Sequence, residues 1–318
     1  MKIAIVGCGA LGSYYGGLLC QAGQETHFLL RSDYEAVKRD GVKIFSPQGN
    51  VHTRPICAKA PDEIGTSDLV IVALKTTAND VLPGILPKLV GKETLVLTLQ
   101  NGLGNEAFIA GIVGAERVLG GLCFVCLNRV APGEIQHMAH GAIVMGEYGR
   151  RPEARTHAIA KAFTEAGVNC RVAENLEQAH WEKLVWNVPF NGLGVASAAG
   201  LEAILSGSAK GKKDKCLTTD LLLSDKRWEN VVRELMLEVI RSARAIGHAI
   251  PDSVADYQIE RTRAMGAYKA STLVDFERGQ PLELETLFLE PLRQAHKAGV
   301  DCPRLEKLCA ALENLAKF

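Results

Sequence analysis

The N-terminal 17 residues constrain the fold of this chain more than any other stretch of the sequence. An apolar run at residues 3–6 leads into glycines with G-x-G-x-x-G spacing at Gly7, Gly9 and Gly12, and apolar residues at helical spacing follow. A strand, a tight turn and a helix in this order form the pyrophosphate site of dinucleotide-binding folds. The first glycine permits the turn, the second admits the phosphates to the backbone, and the third lets the helix pack on the strand. The helix N-terminus then offers unpaired N–H groups to the phosphates.

An ordinary strand–helix turn is the alternative, because the motif by itself is weak in a chain with 31 glycines. Its context favours the dinucleotide site, since the motif follows a strand of buried type and precedes a second strand at residues 26–30. The loop residues expected to contact the cofactor are Gly7, Cys8, Gly9, Ala10, Leu11 and Gly12.

The residue after the second strand indicates which dinucleotide is bound. A fold that prefers NAD places Asp or Glu there, against the ribose 2′-hydroxyl, whereas this chain has Arg31. A guanidinium binds a 2′-phosphate well, so NADP is favoured over NAD. A solvated surface arginine is the alternative, and the nearby Asp33 keeps that interpretation open.

Composition excludes several classes of function. The 318 residues allow one large or two ordinary domains, and 36 basic residues balance 36 acidic ones, which gives no basis for a nucleic-acid or membrane-surface partner. No apolar run reaches the length of a membrane span and no secretory signal pattern precedes the first strand, so we expect a soluble, cytoplasmic protein. Nine scattered cysteines are typical of a reducing compartment. Cys123 and Cys126 lack further ligands at metal-site spacing, and we expect no metal.

Strand and helix patterns alternate up to about residue 174 and give way to helices after it. Two buried-type strands of the first part end in polar residues, one in Lys75 and the next in Asn101 and Gly102. Ligands of open α/β sheets bind beyond the carboxyl ends of strands, so Lys75 and Asn101 are candidate ligand contacts. Asn101 followed by Gly102 is also a common turn pair, which is the alternative. The pattern predicts an α/β protein with a Rossmann-type dinucleotide-binding domain at residues 1–174 and an all-α domain at residues 175–318.

The first helix of the second part carries polar residues at every fourth position. Lys183, Asn187 and Asn191 share one face among apolar neighbours, where an anionic, oxygen-rich ligand would satisfy their hydrogen bonds. A polar seam between helices is the alternative. Pro189 lies within this helix and is expected to kink or interrupt it.

Three segments further downstream are candidates for a structural or functional role. Thr272 and Asp275 have the spacing of a capping box, which predicts a helix start near Thr272. Glu283 lies between two leucines, either buried against a cation or ligand or solvated in a first helical turn. The lysine-rich residues 207–227 are expected to form a mobile surface insertion, with a lid or an oligomer contact as the alternative.

These motifs together resemble the ketopantoate reductase (2-dehydropantoate 2-reductase) family over essentially the whole chain. The resemblance rests on the glycine loop with Gly16 and Gly17, on Lys75, on Gln100-Asn101-Gly102, on the W-x-K-x-x-x-N-x-x-x-N run from Trp181, and on Ser271, Asp275 and Glu283. It implies NADPH-dependent reduction of a 2-oxo acid, with the 2′-phosphate on Arg31. It also implies catalytic roles for Lys183, as proton donor, and Glu283, as contact of the substrate hydroxyl. Asn101, Asn187, Asn191 and Ser271 would bind the substrate, and Asn101 would also contact the cofactor.

One departure from the family pattern makes the substrate less certain. A proline commonly follows the second asparagine in this family, whereas here Pro189 precedes Asn191 and Gly192 follows it. Three hypotheses therefore stand: reduction of 2-dehydropantoate for pantothenate and coenzyme A synthesis, reduction of another bulky 2-oxo acid, and a regulator that senses NADP without turnover. Apolar helices in the second half could form a homodimer face or pack within their own domain.

Overall fold

The structure is a computed structural model that describes residues 1–209, 211–212 and 214–317. It divides into two compact units. The sheet unit comprises Met1–Asn101 and Asn105–Leu176, and the helical unit comprises Gly102–Gly104 and Glu177–Phe318. The short excursion at Gly102–Gly104 was not anticipated from the sequence. Among the helices of the described ranges, none has the length and apolarity needed to cross a bilayer.

The sheet unit is built on a ten-stranded, mostly parallel sheet, which confirms the predicted α/β class. The strands are β1 (Lys2–Val6), β2 (Glu25–Leu29), β3 (Val42–Phe45), β4 (Val51–Thr53), β5 (Ile56–Ala58), β6 (Leu69–Val72), β7 (Leu95–Thr98), β8 (Val118–Ala131), β9 (Glu134–Glu147) and β10 (Cys170–Val172). Their order is β4-β3-β9-β8-β7-β6-β1-β2-β5, with β10 beside β9. Strand β1 pairs in parallel with β2 and β6, so the chain reverses its direction of travel across the sheet at β1, where such folds bind ligands.

Both faces of this sheet are covered, which explains the uninterrupted apolar strands. Ile3 and Ile5 of β1 enter the core on one face, and Ala4 and Val6 enter the core on the other. The helices of the sheet unit are α1 (Ala10–Gln21), α2 (Tyr34–Asp40), α3 (Leu82–Leu89), α4 (Asn105–Val113) and α5 (Ala154–Glu165). Strands β8 and β9 are antiparallel, as the pattern at residues 117–148 predicts.

Local patterns predict a strand at about residues 51–56 and a helix at about residues 77–89, and the structure divides each of them in two. The strand expected at residues 51–56 is split into β4 and β5, because Pro55 lacks the N–H that a continuous ladder requires. The helix expected at residues 77–89 is a 3₁₀ helix, Thr76–Val81, followed by α3. Inside the 3₁₀ segment the helical backbone is interrupted at Ala78, whose φ of −117° and ψ of 21° are not helical.

The helical unit packs its helices around one apolar core, as predicted. They are α6 (Leu176–Ala196), α7 (Leu201–Ser206), α8 (Thr219–Ser224), α9 (Lys226–Ala245), α10 (Ser253–Arg263), α11 (Ser271–Glu277), α12 (Glu290–Lys297) and α13 (Pro303–Leu315). A π-helix, Glu285–Leu289, precedes α12. The apolar residues of α9 and α13 lie inside this core, which supports intradomain packing of those faces and leaves the homodimer a prediction.

Two expectations, one for α6 and one for α11, need correction. Helix α6 runs without interruption through Pro189. Helix α11 begins at Ser271, within the predicted segment, but the predicted capping box of Thr272 and Asp275 is absent: the Asn191 Oδ1 atom accepts a hydrogen bond of 3.0 Å from the Thr272 N–H. This side chain replaces the cap that the sequence was expected to supply locally.

The segment 207–227 is not a simple surface insertion. It contains α8, whose Leu222 and Leu223 are buried in the core. The residues just before α8 are held by a hydrogen bond of 2.9 Å from the Leu217 N–H to the Ser197 hydroxyl. Two of its lysines, Lys210 and Lys213, lie outside the described residues. The amphipathic pattern of residues 219–223 explains why α8 packs on the core, although the lysines of this segment suggest an exposed surface.

Candidate cofactor and substrate sites

The three glycines of the N-terminal loop are required for different reasons. Gly7 has a φ of +102°, and a Cβ atom there would overlap the backbone at Leu74. A Cβ atom at Gly12 would overlap the Gly7 carbonyl oxygen. At Gly9 the φ is −74°, and apart from its chain neighbours Cys8 and Ala10 no described residue has an atom within 4 Å of the position that a Cβ atom would take. The chain itself therefore requires Gly7 and Gly12, whereas at Gly9 it leaves open space that fits a ligand.

The remaining loop residues position the backbone. The Cys8 thiol lies 3.5 Å from the Leu29 carbonyl oxygen and 3.6 Å from that of Ile5, so it points back toward the ends of two strands. Burial, and secondarily the nearby Cys57 and Asp33, raises the pKa of the Cys8 thiol well above its ordinary value. The Ser13 hydroxyl donates to the Cys8 carbonyl over 3.0 Å. Because Gly9 caps α1 without a side-chain bond, the first N–H groups of Ala10 and Leu11 remain available to a phosphate.

The turn after β2 carries the predicted phosphate-binding arginine. Arg31 is exposed, and its side chain makes no hydrogen bond or ion pair with any described residue. Asp33, two residues later, is buried and held by Arg129 of β8 through two hydrogen bonds. Arg31 is thus unoccupied by the neighbouring carboxylate and fits a 2′-phosphate.

Polar residues at the ends of β6 and β7 are tied together by amides. Lys75 is exposed at the start of the 3₁₀ helix Thr76–Val81, and Asn101 is half-buried after β7. The Gln100 Nε2 group donates to the Leu74 carbonyl over 3.0 Å and to the Asn79 Oδ1 atom over 2.7 Å. The Asn105 Nδ2 group in turn donates to the Asn101 carbonyl over 3.0 Å.

This amide network was missed at the sequence level. Asn79 also donates to the Asn105 Oδ1 atom over 3.4 Å, so one chain of amides runs from β7 to α4. Gln100 was noted only as part of a tripeptide, and neither Asn79 nor Asn105 lies at a spacing that marks it. The network fixes the backbone that carries Lys75 and Asn101.

The polar face of α6 is the centre of the second set of candidates. Lys183 is half-buried, while Asn187 and Asn191 have only 6% and 2% of their surface exposed. The Asn191 Oδ1 atom accepts from the Ser271 hydroxyl over 3.2 Å and from the Thr272 N–H, so Asn191 joins α6 to α11 and contacts Ser271 directly. The Asn187 amide makes no hydrogen bond with a residue that the structure describes. A nearly buried amide in this condition fits a ligand-binding role.

Glu283 is buried, with 8% of its surface exposed, which favours the interior interpretation over the solvated one. It lies just before the π-helix Glu285–Leu289, a rare element often found at functional sites. A Cβ atom at Gly102 would overlap the Thr286 carbonyl of this π-helix, and the Leu103 N–H donates to the same carbonyl over 2.9 Å. Gly102 is therefore needed for this close approach as well as for its φ of +88°.

The structure therefore distributes the candidates over two sets. The loop, Arg31, Lys75 and Asn101 belong to the sheet unit, and Lys183, Asn187, Asn191, Ser271 and Glu283 belong to the helical unit. Among the described residues, no group of three or more His, Cys, Asp or Glu side chains could hold a metal ion. The sheet unit thus offers a loop that fits a dinucleotide, and the helical unit offers an amine, two buried amides and a buried carboxylate.

Comparisons with known proteins agree with these features. Residues 3–150 match the family model "Ketopantoate reductase PanE/ApbA", and residues 215–316 match "Ketopantoate reductase PanE/ApbA C terminal". A 2-dehydropantoate 2-reductase of Nostoc sp. is 39% identical over 99% of this chain and 95% of its own. The crystal structure of 2-dehydropantoate 2-reductase from Geobacter metallireducens has a TM-score of 0.89 and 44% identity, covering 98% of this chain and 99% of the other.

A more distant structure shares the fold alone. D-mandelate dehydrogenase, in a ternary structure with NADH and anilino(oxo)acetate, has a TM-score of 0.85 but only 22% identity, covering 98% of this chain and 97% of the other.

Proposed function

The chain belongs to the ketopantoate reductase family, and from that membership we propose that it reduces 2-dehydropantoate to pantoate with NADPH, a step of pantothenate and coenzyme A synthesis. The observation that carries the proposal is the polar face of α6, on which Lys183 precedes a nearly buried Asn187 whose amide makes no hydrogen bond with a described residue. Such a face suits a small, oxygen-rich substrate.

The glycine loop and Arg31 would hold the cofactor. The open space beside Gly9 and the N–H groups at the start of α1 fit a pyrophosphate, and the unpaired Arg31 guanidinium fits a 2′-phosphate. Lys75 and Asn101 would contact the cofactor from the ends of β6 and β7. When bound, NADPH supplies the hydride for the substrate carbonyl carbon.

Lys183 would act at the carbonyl oxygen. As hydride reaches the carbon, negative charge develops on this oxygen, and an ammonium within hydrogen-bond reach stabilises that charge and then donates a proton to it. The amine left on Lys183 recovers a proton from solvent. Lys183 is half-buried on α6, a position that would restrict the motion of its side chain relative to a fully exposed lysine.

The other polar residues of the helical unit would orient the substrate. Asn187 would donate to the carboxylate or hydroxyl of the 2-oxo acid, while Glu283 would accept from its hydroxyl group. Asn191 has a different role, because its Oδ1 atom already accepts hydrogen bonds from the Ser271 hydroxyl and the Thr272 N–H. It holds Ser271 in place, and the exposed Ser271 hydroxyl completes the substrate contacts.

The test is NADPH oxidation, followed by absorbance with 2-dehydropantoate, for the unmodified enzyme and for Lys183→Ala. Loss of a positioned proton donor lowers kcat by about 10²- to 10⁴-fold. NADPH affinity, measured by fluorescence, should stay within about twofold, since uniform cofactor binding does not involve the amine. Lys161→Ala, which removes an exposed lysine of α5, is the matched control and should leave both quantities unchanged.

Tight NADPH binding without oxidation on this substrate would contradict the proposal. A panel of other bulky 2-oxo acids then identifies the alternative substrate, and the same assay with NADH reports the cofactor preference.

Gly192 has a packing role, since a Cβ atom there would lie 2.6 Å from Leu308 and 2.9 Å from Phe288. Packing therefore explains why a glycine follows Asn191, whatever the substrate is.

A further inference from the structure

We propose that the ion pair between Asp33 and Arg129 determines the preference of this enzyme for NADPH over NADH, by keeping an acidic side chain next to Arg31 neutralised. The inference rests on the cofactor site of the proposed function. It assigns a specificity role to Arg129, which lies 98 residues from Arg31 in the sequence and was not among the candidate residues.

Asp33 lies at a position in the sequence where an acidic side chain affects cofactor preference. It follows β2 by a few residues, in the turn where NAD-binding folds carry the acid that binds the ribose 2′-hydroxyl. It stands directly before α2, yet its carboxylate makes no capping bond to that helix. The carboxylate is instead occupied by side chains, as the Ser32 hydroxyl donates to the Asp33 Oδ1 atom over 3.0 Å.

Arg129 reaches this carboxylate from β8. Its Nε group donates to the Asp33 Oδ2 atom over 2.9 Å, and its second nitrogen donates to the Oδ1 atom, so the pair is bidentate. The Asp33 side chain has 8% of its surface exposed, whereas that of Arg129 has 41% exposed. The acid is therefore buried under the guanidinium, while part of the guanidinium still faces solvent.

The electrostatic consequence concerns Arg31. Without Arg129, a carboxylate two residues away would repel a 2′-phosphate and compete with it for the Arg31 guanidinium. The same carboxylate could also accept a hydrogen bond from the 2′-hydroxyl of NADH. With Arg129 bound, neither interaction is available, and Arg31 has no side-chain partner among the described residues.

A purely structural role is the competing explanation. The pair also ties the turn after β2 to β8, and removal of one partner leaves a buried charge that destabilises the fold. That explanation predicts a loss of stability with no change in the ratio of the two dissociation constants. The ratio is therefore the decisive quantity.

The experiment measures Kd for NADPH and for NADH by fluorescence titration, with Tm recorded for each protein. In Arg129→Met we expect NADPH to bind about tenfold more weakly while NADH binding changes by less than about threefold. In Asp33→Asn, which frees the Arg129 charge, we expect the preference for NADPH to increase by about threefold or more. The double variant should return to within about threefold of the unmodified ratio, because both charges are gone.

Arg233→Met is the matched control. Arg233 forms a similar two-bond pair with Asp256 in the helical unit, and its loss should not change the ratio. An unchanged ratio in a folded Arg129→Met variant would overturn the proposal. If that variant does not fold, an unchanged ratio in Asp33→Asn overturns it equally.

The test also separates this inference from the proposed function. Turnover of 2-dehydropantoate by the unmodified enzyme tests the function. The change in cofactor ratio between variants tests the ion pair, whatever the substrate proves to be.

Discussion

The glycine loop and the polar face of α6 are two candidate binding regions built in opposite ways. In the loop, binding would depend on the absence of side chains, because Gly7 and Gly12 admit neighbouring backbone and Gly9 leaves space beside the chain. On α6, binding would depend on polar side chains placed in a largely apolar helix, with Asn187 and Asn191 almost fully buried.

The comparison separates residues that the fold requires from residues for which only a bound ligand would provide a contact. In each region the two kinds stand a few residues apart: Gly9 beside Gly12, and Asn187 beside Asn191. Residue type and spacing do not separate them, since each pair is chemically identical. Their surroundings do, because Gly12 and Asn191 have contacts within the protein that Gly9 and Asn187 lack among the described residues.

The largest effect is expected from Gly12→Ala compared with Gly9→Ala. A methyl group at Gly12 overlaps the Gly7 carbonyl oxygen, so we expect a loss of at least about 3 kcal/mol in the free energy of unfolding. Gly9→Ala should keep its Tm yet bind NADPH at least about tenfold more weakly, because the methyl group occupies ligand space. Thermal unfolding and fluorescence titration measure the two quantities. Equal effects of the two substitutions on Tm would contradict the distinction.

The two asparagines of α6 should separate in the same way. Asn191→Ala leaves the buried Thr272 N–H without its acceptor, and we expect it to lower the free energy of unfolding by about 1–3 kcal/mol. Asn187→Ala should leave stability nearly unchanged and raise KM for the 2-oxo acid by about tenfold or more. Urea denaturation and steady-state kinetics give the two values. A stability loss in Asn187→Ala as large as that in Asn191→Ala would show that both residues are structural.

Gln100→Leu tests whether the amide network positions the strand ends. It removes the donor to the Leu74 carbonyl and to Asn79, and we expect a loss of about 1–2 kcal/mol in the free energy of unfolding together with weaker NADPH binding. Gln136→Leu is the matched control, because Gln136 also donates to a backbone carbonyl, that of Phe45. The control should lower stability without changing NADPH affinity. If both variants bind NADPH normally, the network has no positioning role.

The smallest effect is expected at Glu238, far from either candidate region in the sequence. Its carboxylate accepts from the Arg304 N–H over 3.0 Å and the Leu305 N–H over 2.9 Å, which caps the start of α13. Glu238→Ala should therefore cost about 1 kcal/mol of stability.

The pH dependence at Glu238 has a defined sign. Burial raises the pKa of Glu238 above its ordinary value, although the two N–H groups oppose this. The native state thus holds the proton more tightly than the unfolded chain, so this contribution to stability is complete at low pH and is lost as pH rises through the folded pKa. The stability of the unmodified protein relative to Glu238→Gln should fall as pH increases from about 4 upward. A rise over that range, measured by urea denaturation, would contradict the burial effect.

Local patterns predicted much of this molecule because they reflect local physics. Buried parallel strands read as apolar runs, and the ends of β1 and β7 lie within one residue of the predicted ones, whereas β6 ends at Val72, three residues before the predicted end at Lys75. Wrong predictions arose where a distant group replaced a local one. The start of α11 is capped by Asn191, 81 positions from Thr272, and the leucines of α8 join a core that a count of lysines could not reveal.

By itself, the sequence determined the fold class, the family and the residues where chemistry would be sought, because strand and helix periodicity and the glycine spacing depend on near neighbours. Only the tertiary structure decided how those residues are used. In the structure, Asp33 pairs with Arg129, Asn191 accepts a hydrogen bond from α11, and Gln100 donates to Asn79. Arg31 and Asn187 have no side-chain partner among the described residues. Hydrogen bonds and ion pairs join groups that are close in space, and their distance along the chain carries no signal of that proximity.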